Sequence, residues 1–169
     1  MALYLIANGP APTTAAQVAV TTGTSIKTLL QVAASATNPI IIVEWGISFD
    51  GSAAATPIKC ELFGTSVAAT VTASATADIA RQDAMAVVGG DPVTNLIPVG
   101  TTSTGYTASS EGTPANVRMF DVQFVPPTGG WMKQFPLGRE PMIKISEFAR
   151  IRVTAGAAVN AYCYMVVQV

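Results

Sequence analysis

Alternation of apolar and polar side chains dominates this chain, and its longest run is Pro39 to Asp50. Ile41, Val43, Trp45, Ile47 and Phe49 fall on one face, and Ile40, Ile42, Glu44, Gly46 and Ser48 on the other. A period of two over this length predicts a β-strand. Asp50-Gly51, suited to the positive-φ positions of a turn, ends it. Burying Trp45 and Phe49 is worth roughly 2–3 kcal/mol each by side-chain transfer energies. The same alternation predicts strands around Ile26–Val32, Ile58–Phe63, Met119–Phe124 and Arg150–Thr154, with a shorter piece at Met142–Ile145. The last run, Val159 to Val169, is apolar on both faces: Cys163, Met165 and Val167 on one, Tyr162, Tyr164 and Val166 on the other. Such a strand is covered twice, once by the core and once by a neighbouring subunit.

Helix is scarce. The best candidate is Ala75 to Met85, with Ser74 or Thr76 as cap and Asp78 near the positive end of the dipole. Gly89-Gly90-Asp91-Pro92 opens a long polar loop over residues 89–116, nearly all Thr, Ser, Gly, Ala and Pro from Gly100 onward. Pro126-Pro127-Thr128-Gly129-Gly130 and Phe135-Pro136-Leu137-Gly138 mark two further corners. Residues 1–20 read as an N-terminal arm or an edge strand. No repeat or linker divides the chain, so residues 1–169 form one domain. Many short strands with at most one short helix predict an all-β fold, an antiparallel β-sandwich of the jelly-roll kind. An immunoglobulin-type sandwich ranks second because its Cys-Trp-Cys spacing is missing.

Composition narrows the function. The chain has no histidine, is 11% charged and is 50% hydrophobic. Imidazole serves most hydrolytic and metal chemistry as base, proton carrier or ligand. A net charge of −1 lacks the basic excess of a nucleic-acid binder or a partner for anionic membranes. The mean hydropathy of +0.44 implies a large core or apolar surface covered by another chain. Ala2 to Ala7 is a short apolar run with no preceding Lys or Arg, so no secretory leader is expected. No run approaches the ~20 apolar residues of a membrane helix. Synthesis in a cytoplasm is the expectation. Cys60 and Cys163 lie inside strand-like runs and read as small buried hydrophobes.

Candidate reactive groups are thin. Glu44 and Glu61 lie on consecutive predicted strands, where a carboxylate pair would serve acid–base chemistry; a solvated sheet face is the plainer reading. Ser25-Ile26-Lys27 and Lys144-Ile145-Ser146 are strand neighbours rather than Ser–Lys catalytic pairs. Gly89-Gly90 lacks the lysine and helix of a phosphate loop. Asp78, Asp83 and Asp91 do not have the spacing of a calcium loop. The expectation is a protein that is not an enzyme, with no cofactor and no metal. Lys133, Arg139, Lys144, Arg150 and Arg152 crowd the last third. Arg150 and Arg152 share a strand face, either a stripe for an acidic protein surface or an ordinary solvated face. Trp131 beside Gly129-Gly130 and Tyr106 in the polar loop are candidate interface aromatics, Trp131 having a core-facing position as its plainer reading.

Two segments carry a resemblance. Ile42-Val43-Glu44-Trp45-Gly46-Ile47-Ser48-Phe49-Asp50-Gly51 resembles the early strand and turn of small jelly-roll head proteins of tailed bacteriophages, and Ile143 to Thr154 resembles their closing strands. These are decoration, or cement, proteins, which bind outside a capsid and staple neighbouring capsomers, often as trimers. The resemblance implies a structural virion protein on a capsid surface, made in a host cytoplasm, with the major capsid protein as partner and a homotrimer as favoured assembly. An arm at Ala2 to Ala16 would lie across a capsid junction. The side chains offered for the capsid or subunit interface are Arg150, Arg152, Trp131, Tyr106, Tyr162 and Tyr164. The alternative is a carbohydrate-binding or receptor-binding module of a phage particle, with Tyr106 and Trp131 exposed on one surface.

Overall fold

The computed structural model describes residues 2–10, 20–52, 55–82 and 93–169. Thirteen strands lie among them: β1 (Leu3–Ala7), β2 (Val20–Thr21), β3 (Ile26–Ala33), β4 (Ile40–Phe49), β5 (Ile58–Thr65), β6 (Thr70–Ala73), β7 (Ile79–Arg81), β8 (Gly105–Ser110), β9 (Arg118–Val125), β10 (Gly130–Gln134), β11 (Met142–Ile143), β12 (Phe148–Thr154) and β13 (Asn160–Gln168). One sheet runs β10-β4-β13-β1-β7, with β11 also on β4 and β2 on β13. The other runs β6-β8-β3-β12-β5-β9. Every strand ladder is antiparallel.

The pairing is nested. β1 takes β13, β3 takes β12, β4 takes β10 and β11, and β5 takes β9. Successive pairs fall alternately in the two sheets, which is the winding of a jelly roll. β7 and the β6–β8 pair extend the two sheets at their outer edges. Between the sheets Ile6, Ile42, Trp45, Ile47, Cys163, Met165 and Val167 meet Leu30, Val32, Cys60, Leu62, Ile151 and Val153. The two thiols are free and buried. Burial pushes Cys60 up to about 12 and Cys163 well above the usual thiol range.

Four sequence expectations change. First, β4 does not keep one face throughout. Val166 opposes Glu44 and Val167 opposes Ile42, so Val43 is an extra, bulged residue. A bulge shifts the alternation by one, and the core therefore takes Ile40 and Ile42 before it and Trp45, Ile47 and Phe49 after it. Second, the described part of the expected helix is a 3-10 turn, Thr76–Asp78, followed by β7. Ile79 pairs with Ile6 and is buried, so sheet pairing overrides a weak helix propensity. Residues 83–85 lie outside the described residues. Third, the start of the expected arm is a strand inside the sheet: β1 lies between β13 and β7 with Tyr4 and Ile6 turned into the core. Residues 11–16 are outside the described set.

Fourth, the long polar loop holds structure. Val93–Leu96 is a single helical turn, Ile97 enters the core, and Gly105–Ser110 is β8. Glu111 to Asn116 then passes over the second sheet from the β8 edge to the β9 edge. It bonds β3 and β12 through Glu111 and the end of β5 through Ala115. Residues 89–92 fall outside the described part.

Candidate binding surfaces

The arginines expected on an exposed face stand under that crossing segment. Ala149, Ile151 and Val153 of β12 enter the core, so Arg150 and Arg152 turn to the outside of the second sheet. Yet the Arg150 side chain is 0% exposed. Its Nε and Nη2 donate to Thr28 Oγ1 at 3.0 and 2.7 Å, and it pairs with the Glu111 carboxylate. Thr28 completes the clasp, donating to Glu111 from its backbone N–H at 2.5 Å and its hydroxyl at 2.7 Å. Burial pulls the Arg150 pKa down and Glu111 opposes the shift. Arg152 donates to Glu61 Oε2 at 3.0 Å, and Lys59 pairs with Oε1 at 2.6 Å. Both guanidinium groups lie over the Phe63 ring, at 5.4 and 4.5 Å. Burial works against the Glu61 charge, but Lys59 and Arg152 outweigh it and hold the carboxyl below its ordinary range. Arg150 is enclosed at the centre of this ionic cluster and is not available to dock on a partner, while Lys59 and Arg152 keep part of their side chains exposed.

Glu44 and Glu61 do not form a pair. β4 and β5 are consecutive in the chain but belong to opposite sheets, and each glutamate faces outward from its own sheet. Tyr106 and Trp131 do not share a surface either. Tyr106 lies on β8 opposite Leu30, toward the far edge of the second sheet, and Trp131 lies on β10 at the near edge of the first.

Asp121 joins the sheets at the β9–β10 side. A bulge at Phe120, where Leu62 opposes Asp121 and Phe63 opposes Met119, turns the carboxylate inward. Its Oδ2 accepts from Trp45 Nε1 and from Trp131 Nε1, both at 3.2 Å. Its Oδ1 accepts from Gln123 at 3.0 Å and lies 3.3 Å from Lys133 Nζ. Burial disfavours the charge, but the bonds from Gln123, Lys133 and Trp131 hold this carboxyl below its usual range. The same bulge puts Met119, Val122 and Phe124 on the outer face beside the open edge. Phe124 is 69% exposed. Sequence alternation marks Phe120, Val122 and Phe124 as one apolar set but holds no sign of the bulge that leaves Phe120 against the core and turns Val122 and Phe124 outward.

Along this border, apolar exposure is concentrated. Of the ten large hydrophobic side chains exposed among the described residues, nine fall between Val117 and Ile145, on β9, β10, β11 and their connections. Leu137 at the corner between β10 and β11 is 96% exposed.

The outer face of the first sheet carries a groove of about 340 Å³. Ser48 and Gly130, opposite each other on β4 and β10, form its floor; Tyr162 and Tyr164 stand on one side and Met132 on the other, while Trp131, opposite the core-facing Ile47, borders it with its indole turned to Asp121. The tyrosine rings are 6.1 Å apart. Tyr164 lies across Gly46, where an added Cβ would sit 2.5 Å from a ring carbon and displace the ring. The Tyr164 hydroxyl donates to Glu44 Oε1 at 2.6 Å. Burial, with Glu44 adding to it, raises the Tyr164 pKa, and burial raises that of Tyr162. Of the sequence-selected residues, Tyr162 and Tyr164 face one groove, and Trp131 borders it with its indole turned toward Asp121, nearer the core-facing position.

Among the described residues no cluster of three potential metal ligands occurs, and no helix is long and apolar enough to cross a membrane. No protein-family model, curated protein or solved structure matches this chain.

Proposed function

We propose that this protein is a structural subunit of a virus particle: a decoration protein that binds the outer surface of a phage capsid, forms a homotrimer and staples neighbouring capsomers. The observation that carries the reading is the concentration of exposed large apolar side chains from Val117 to Ile145, along the β9–β10 border of the two sheets. Contiguous exposed apolar area beyond a few hundred Å² marks an interaction surface. The resemblance of Ile42–Gly51 and Ile143–Thr154 to phage decoration proteins supplies the partner, an assembled shell of major capsid protein. Binding the assembled shell but not its free subunits stabilises the shell by mass action, and many copies add through multivalency.

The test pairs light scattering with co-sedimentation on assembled shells. Phe124→Asp combined with Leu137→Asp is expected to lower shell occupancy or trimer mass while leaving the thermal midpoint unchanged, since both side chains are exposed. Full occupancy and unchanged mass in the double variant would remove this border from the reading. A wild-type chain that is monomeric and ignores shells would remove the reading itself.

A further inference from the structure

The groove on the first sheet has chemistry that the border lacks. Strands β4, β10 and β13 place one ionised side chain on this face among the described residues, Glu44, which lies just outside the groove's lining and accepts the hydroxyl of Tyr164. One carboxylate oxygen accepts the Tyr164 hydroxyl, and no described cationic side chain pairs with Glu44. The rest of the wall is aromatic ring and thioether over a floor of Ser48 and Gly130. Aromatic faces carry negative quadrupole potential, and with a carboxylate beside them they attract an organic cation. A flat slot beside a ring suits a planar guanidinium, which stacks and then pairs with a carboxylate, better than a compact, strongly hydrated ammonium.

We infer that this groove is a docking site for an arginine side chain presented by a partner protein. The aliphatic stem lies over Ser48 and Gly130 between Tyr162 and Met132, as long cationic side chains cover apolar surface with their stems. The guanidinium stacks beside Tyr164 and donates to the free oxygen of Glu44. The site shares Met132 with the apolar border but does not rest on the capsid reading: a partner of any kind that offers an arginine would fit.

The test is an NMR titration of the full chain with N-acetyl-arginine methylamide, beside its neutral isostere N-acetyl-citrulline methylamide. Saturable shifts of the Gly46, Gly130 and Tyr164 amides are expected with arginine and not with citrulline. Glu44→Gln retains an acceptor for the Tyr164 hydroxyl and is expected to raise the half-saturation concentration about tenfold, the scale of one lost charge-assisted hydrogen bond. Met132→Ala, on the opposite wall, is expected to weaken binding too and serves if the glutamine variant fails to fold. Equal shifts with citrulline, or no saturating shift of these three amides, would overturn the site whether or not the protein binds a capsid.

Discussion

Arg150 bears a charge with no surface of its own, and its neighbours account for that. Thr28 and Glu111 supply acceptors, Phe63 supplies a ring face, and the Glu111–Asn116 segment lies over them. Removing one member of a buried pair costs more than the pair is worth, because the other charge remains without compensation. Glu111→Ala is expected to destabilise the fold by about 3 kcal/mol, whereas Arg150→Met combined with Glu111→Gln should recover most of that loss. Urea unfolding of the wild type and the two variants checks this; equal losses in the single and double variants would refute it. Nothing in the sequence distinguishes Arg150 from Arg152, two positions apart on one strand. Their difference comes from Glu111, distant in the chain and carried over β12 by a polar segment without hydrophobic pattern. The buried Gln31 is hidden for the same reason: its partners are the backbone of Ala69 and Ser103.

At the scale of the element, most strands were legible because one face of each meets the core. Ile58, Cys60 and Leu62, or Ala149, Ile151 and Val153, alternate as they pack. Legibility fails where a bulge slips the period, at Val43 and at Phe120, because a bulge has no compositional mark. It fails again in short strands: β7 has three residues, too few for a period to stand out from helix propensity. β1 is short as well, but its place in the sheet makes it consequential. It pairs with β13 over five residues and with β7 over three. Deleting residues 2–7 is therefore expected to abolish cooperative unfolding, not to trim a loose end. A circular-dichroism melt with the wild-type midpoint would show the strand to be dispensable.

Across the whole molecule, the two sheets meet at the β9–β10 side through one carboxylate. Both tryptophans of the chain donate to Asp121. Its pKa is depressed in the fold, against about 3.9 for an unfolded aspartate. The resulting stability is full above pH 4 and lost as the pH falls through the folded value. Glu61 adds a loss of the same sign. Acid unfolding followed by tryptophan emission should show the indoles reporting the opening, and Asp121→Asn should flatten the pH dependence of stability below pH 4. An unchanged slope in that variant would show that the carboxylate does not couple closure to protons. The candidate surfaces were half legible at this scale. Trp131, Tyr162 and Tyr164 can be selected by residue type, but their meeting at one groove depends on β10 and β13 flanking β4, which only the winding of the chain decides.

That winding also governs how the protein is born. β13 lies between β1 and β4, both made long before it. Until residues 160–168 have been synthesised, those strands wait with their central edges open and their greasy faces bare. Pairings that span so much sequence form slowly, so nascent copies pass through a sticky interval. The first sheet therefore closes only after β13 can insert between β1 and β4.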